Sequence, residues 1–162
     1  KKNDVELNIL REHFLTIAMA KVSTSGHEAY DLGLFEKSKD VIVTNRDEQL
    51  SIAKSYARVL ADAGYVKPIE RTDIKVLGKQ ALGMFMVGTD SMKAGNYISE
   101  YDLLMADKLA YVMSGGDLSA ATTVSERYLL DIEREAFLSL CGQRKTLERI
   151  QHMLTTGKPL RN

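Results

Sequence analysis

The residues that could do chemistry in this chain are few and scattered. The three histidines, His13, His27 and His152, stand in no HExxH pattern and in no close pairing with cysteine, so they read as surface or capping residues, not metal ligands. Cys141 is the only cysteine, which excludes an internal disulfide and a multi-cysteine zinc site. It sits in an apolar helical stretch and reads as a buried thiol, not a nucleophile. Asp131, Glu133, Arg134 and Glu135 crowd into about one and a half helical turns. That run reads as a solvated face with local ion pairs; a buried acid pair for general acid–base work is the sharper alternative.

The glycines form neither GxGxxG after a strand nor GxxxxGK[ST], and no GxSxG surrounds the serines of KVSTSGHEAY. Gly115–Gly116 reads as a helix stop, with an anion held on its backbone N–H groups as the alternative. Met84, Met86, Met92, Met105 and Met113 read as core gap-fillers before an acyl groove. The residues alone therefore assign no catalytic, cofactor-binding or metal site.

The elements that would position such groups are mostly helical. Leu7, Leu10, Phe14, Ile17 and Ala18 predict a helix over about 4–21, with Asp4 as its cap. Ser25 and Glu28 form a capping box for a short helix that Gly33 closes. The β-branched run Asp40–Asn45 predicts a strand, paired with Leu34–Phe35 or with a partner outside the chain. Asn45 caps a helix carrying Leu50, Ala53, Ala57 and Leu60, and Gly64 ends it. Tyr65 to Asp73, with Pro68, is the expected connector, dividing the chain into 1–66 and 67–162.

Ile74 to Gly95 reads as helical, with small residues that let another backbone come close. Ser99 and Asp102 open a helix along Leu103, Ala106, Ala110 and Met113, broken by Gly115–Gly116. Thr123 is the expected cap of the next, with Glu126 at its third position. Leu129, Ile132, Ala136, Phe137 and Leu140 place that helix in the core, and Gly142 ends it in a left-handed turn. Leu147, Ile150 and Leu154 mark the last helix, stopped by Gly157 and Pro159. The fold class is mostly α, with about seven helices and one or two short strands.

Composition narrows the function. Lys plus Arg equals Asp plus Glu at 22 each, which argues against a nucleic-acid partner. No apolar run approaches the ~20 residues of a membrane span, and no signal-peptide pattern opens the chain. A reducing cytoplasm fits the single thiol. The opening residues, without Met and inside a helical pattern, read as the start of a fragment.

Two stretches carry a resemblance. Tyr111–Asn162, with SGGDLS, YLLDIEREAFLSL and KTLERIQHMLTTGKPLRN, resembles the C-terminus of bacterial multifunctional 3-hydroxyacyl-CoA dehydrogenases, in which a crotonase-like enoyl-CoA hydratase half follows the dehydrogenase half. Ala20–Lys54, with STSGHEAYDLGLFEKSKDVIVTN, is similar to the late part of a crotonase domain. The resemblance implies a fatty-acid β-oxidation enzyme that uses NAD, whose nucleotide fold and oxyanion hole lie in other segments. None of the family's catalytic motifs falls on this chain. Its implied part is to cover the acyl-CoA site and build subunit contacts. Its implied partners are the remainder of the parent enzyme and the acyl-CoA substrate, with self-association of a fragment cut from its core. The alternative is a free-standing α-helical interaction module.

Overall fold

Capping chemistry sets where the helices begin. Ser99 Oγ accepts the Asp102 N–H at 3.1 Å, and Asp102 Oδ2 accepts the Ser99 N–H at 3.1 Å, a reciprocal box that opens a helix. The computed structural model describes residues 6–162. Its helices are α1 (Glu6–Ala18), α2 (Gly26–Asp31), α3 (Gln49–Asp62), α4 (Lys79–Ala94), α5 (Glu100–Ser114), α6 (Glu126–Cys141) and α7 (Arg144–Thr156). A 3₁₀ turn, Arg46–Glu48, leads into α3. Two short strands, β1 (Ile74–Val76) and β2 (Thr122–Val124), pair antiparallel with Lys75 opposite Thr123. The protein is mostly helical, as the periodicity implies. The cap proposed at Asp4 lies outside the described residues.

The chain forms two compact units. One joins the chain up to Ala20 with Glu70–Asn162; the other is Lys21–Ile69. The sequence division at 66/67 puts α1 with the residues that follow it, whereas its contacts group it with α4 and α5. Phe14 explains this: it is the one buried residue of α1, and it joins Ala81, Phe85 and Ala110 in the core of the first unit. Leu7, Leu10, Leu82, Met84, Leu109 and Met113 pack around them. Ala81 and Ala110 are fully buried, so α4 and α5 meet through methyl groups.

Several expectations are corrected. Asp40–Asn45 is not a strand. Within the second unit its run is fastened to α2 by side chains: Tyr30 Oη donates to Asp40 O at 2.7 Å, and the Ile42 side chain packs on Gly26, its Cγ1 3.0 Å from where a Cβ would stand. With no second strand to fill a ladder, packing replaces pairing. The strands fall instead at Ile74–Val76, read from sequence as the start of a helix, and at Thr122–Val124. Thr123 is therefore extended, and Ser125 caps α6 by accepting the Tyr128 N–H at 3.1 Å.

Gly142 has φ of −74°, so α6 ends without a left-handed residue. Phe137 is 63% exposed, and α6 buries only Ile132 and Ala136. α7 buries none of its residues. The C-terminal pair is a flank of the first unit, whose centre is α1, α4 and α5.

Candidate functional site

α6 builds one wall of a hollow in the first unit. Glu126, Leu129, Leu130 and Glu133 recur at helical spacing and face Leu10 of α1, Ile74, Lys75 and Val76 of β1, and Val112 and Met113 of α5. The volume is about 320 Å³, at the small end of ligand-sized clefts. Its charged rim is largely engaged elsewhere. Lys75 Nζ donates to both carboxylate oxygens of Glu6 at 2.8 and 2.7 Å. Glu126 Oε2 accepts the Arg71 N–H at 3.4 Å. The groove is therefore an apolar trough with acidic edges. It can take a hydrocarbon or an apolar side chain, and it holds no paired acid and base.

The acidic run on α6 resolves into ordinary surface pairs. Asp131 accepts from Arg134 Nη1 at 2.9 Å and from Arg127 Nε at 3.3 Å. Glu133, Arg134 and Glu135 are exposed. Such pairs contribute ~0–1 kcal/mol.

Gly115 and Gly116 end α5 with φ of 88° and 82°. Their N–H groups donate to Val112 O and Tyr111 O at 3.0 and 2.8 Å, so neither is free to hold an anion. The adjoining Gly115 carbonyl accepts from Tyr128 Oη at 2.9 Å. Burial pushes the Tyr111 phenol above its usual range, with Glu135, Tyr128 and Asp117 adding to the effect.

β1 runs through Leu77 and Gly78 into α4. Strand, glycine and helix in that order is the framework on which nucleotide folds hold phosphate. This one is closed. The Lys79 N–H donates to Leu118 O at 2.9 Å, and a Cβ on Gly78 would meet Leu118 O at 2.5 Å. Carbonyl oxygens face that helix end, and the residues there do not fit a dinucleotide.

The histidines are not brought together: His13 and His27 are exposed and His152 is half-buried. Among the described residues no three His, Cys, Asp or Glu side chains group so as to hold a metal ion. Cys141 is a half-buried free thiol. Met84 and Met113 pack against the core, whereas Met86 and Met105 are exposed.

One group escaped the sequence reading. Asp107 is half-buried where α5 meets α4, its Oδ1 lying 3.4 Å from Thr89 Oγ1. Burial raises its pKa; the Thr89 hydroxyl opposes this and Asp90 reinforces it. The signal was available, because Asp107 sits four after Leu103 and three before Ala110 on the same face.

Over 156 residues the chain is 47% identical to a probable 3-hydroxyacyl-CoA dehydrogenase of Bacillus subtilis (strain 168). The match takes in 96% of this chain and 20% of that protein. The chain thus spans about a fifth of the length of the curated relative it matches, and it fits a fragment of such an enzyme. No protein-family model matches it, and no solved structure matches it. Among the described residues no helix is long and apolar enough to cross a membrane.

Proposed function

We propose that this chain is a segment of a cytoplasmic fatty-acid β-oxidation enzyme, an NAD-dependent 3-hydroxyacyl-CoA dehydrogenase joined to a crotonase-like enoyl-CoA hydratase. The observation that carries this reading is the 47% identity over 156 residues to a 3-hydroxyacyl-CoA dehydrogenase. In this reading the dinucleotide and the oxyanion hole belong to other segments of the polypeptide. The chain contributes cover for the acyl-CoA site and surface for subunit contacts, and no catalytic group. Support comes from α3, where no residue is buried and Leu50, Tyr56, Val59 and Leu60 stand exposed. An amphipathic helix in that state needs a partner surface.

The test uses the complete reading frame that contains this chain. The full polypeptide is expected to reduce NAD with a 3-hydroxyacyl-CoA and to hydrate an enoyl-CoA. The isolated 162 residues are expected to do neither, since loss of even one oxyanion donor costs ~10²–10³ in rate. A full polypeptide inert towards both substrates overturns the reading, as does turnover by the isolated chain at ordinary enzyme rates.

A further inference from the structure

The ion pair most sheltered from solvent among the described residues joins α5 to α7. Arg149 Nη1 donates to Asp102 Oδ1 at 2.8 Å, with side-chain exposures of only 17% and 21%. The same guanidinium also reaches Asn162. Its Nε donates to Asn162 Oδ1 at 2.8 Å and its Nη2 to the Asn162 main-chain oxygen at 3.3 Å. That main-chain oxygen also accepts from Ser99 Oγ at 3.2 Å, and Asn162 Nδ2 donates to Glu148 Oε2 at 2.8 Å. Beneath the guanidinium lies the buried ring of Tyr101, 5.0 Å from the Arg149 Cζ, with its hydroxyl bonded to Thr146.

The path of the chain explains why so much converges there. Gly157, with φ of 68°, caps α7 and turns the chain back along it, so that residue 162 returns to residues 148 and 149. Leu160 lies half-buried against a hollow of about 530 Å³ lined by Leu147, Gln151 and His152 of α7. Residues 158–162 form no backbone–backbone hydrogen bond among the described residues; Lys158 N–H goes to a threonine hydroxyl. Their hold is concentrated at the far end, in Asn162.

We infer that residues 158–162 are a strap that latches along α7, with Arg149 as the catch and Asn162 as the bolt. Closed, the strap lies beside the Leu147–Gln151–His152 side of α7. Released at Asn162, residues 158–162 have no backbone–backbone hydrogen bond to hold them against α7, and they move away from it about Gly157. Arg149 suits the catch because its planar fork serves Asp102 and both oxygens of Asn162 at once, which a lysine ammonium cannot do.

The test is backbone order by heteronuclear ¹⁵N relaxation on the 162-residue chain, which reports ps–ns motion. In the unsubstituted protein, residues 160–162 are expected to match the values of α5 and α7. Arg149→Leu should drop them by about half or more, and Arg149→Lys should restore only part. Arg127→Leu, which alters an α6 side chain 66% exposed and paired with Asp131, should leave them unchanged. Should Arg149→Leu fail to fold, Asn162→Ala removes both side-chain hydrogen bonds of the bolt without touching α7, and it should free the strap. A strap already mobile in the unsubstituted protein overturns the inference, and so does one that stays rigid in Asn162→Ala.

Discussion

The ring of Phe14 lies stacked on the ring of Phe85, their centroids 4.3 Å apart and their planes 18° from parallel. Two helices distant in the chain meet at this pair, and both rings are buried. Phe85→Ala should therefore cost ~3–5 kcal/mol, as for other buried aromatic truncations. Phe137→Ala, at a ring mostly in solvent, should stay within about ±0.5 kcal/mol. Denaturant midpoints of the two variants compare them directly. Equal losses would mean that α6 is buried in solution in a way the fold does not show.

Glycines on α4 and α5 supply a second, signed contrast. A Cβ at Gly115 would stand 2.6 Å from Val76 Cγ2, on a backbone with φ of 88°. Gly115→Ala should lose more than ~1 kcal/mol. Gly83 lies inside α4 with nothing within 4 Å of the added carbon, so Gly83→Ala should gain about 0.5–1 kcal/mol. Thermal melts should move in opposite directions; a shared direction would refute the placement of these helices.

Two aspartates on α5 should respond to pH with opposite sign. Asp107 has a raised folded-state pKa, so its protonated form suits the fold. Its cost is absent below the ordinary carboxylate range near ~3.9 and grows as pH rises through the folded value. Asp107→Asn should therefore stabilise at pH 7 relative to pH 3.

At Asp102, burial pushes the carboxyl up, and the Ser99 N–H and Arg149 overcome this and hold it low. Its contribution is present at neutral pH and lost as pH falls through the depressed value. Asp102→Asn should cost stability at pH 7 and little at low pH. Melting curves at the two pH values test both variants. Parallel pH profiles for the two would contradict these assignments.

The isolated chain should also self-associate. Leu50, Val59 and Tyr56 on α3 and Phe137 and Leu138 on α6 are exposed apolar groups, and an amphipathic helix that buries none of its apolar face, as α3 does, favours association. Light scattering at rising concentration should show oligomers, together with binding of an apolar dye. A clean monomer that binds no dye counts against it.

The caps at Ser25, Ser99 and Asn45 were legible because a side-chain oxygen needs only the N–H two or three residues on. So was the α5 stripe, since periodicity is local. The strands were not. Each is three residues long, and the partner of Ile74–Val76 lies almost fifty positions away at Thr122–Val124. Asp40–Asn45 has better β-composition than either, yet no second strand reaches it.

Phe137 was misplaced for a related reason. Leu129, Ile132, Ala136, Leu140 and Phe137 surround α6 too widely for periodicity to choose a side, and tertiary contacts chose Ile132 and Ala136. The groove lined by α1, β1, α5 and α6 was illegible because it exists only once α1 has crossed the intervening 49 residues of Lys21–Ile69.

That crossing sets a schedule for synthesis. Phe14 leaves the ribosome about seventy residues before Phe85 does, which at 5–20 residues per second is a wait of roughly 4–14 s. Throughout it, Phe14 lacks the Phe85 ring it stacks on, while Lys21–Ile69, a compact unit of its own, is already synthesised. Within this stretch Lys21–Ile69 is therefore complete before the first unit can close, and α1 is the helix of that unit that waits longest for its α4 and α5 partners.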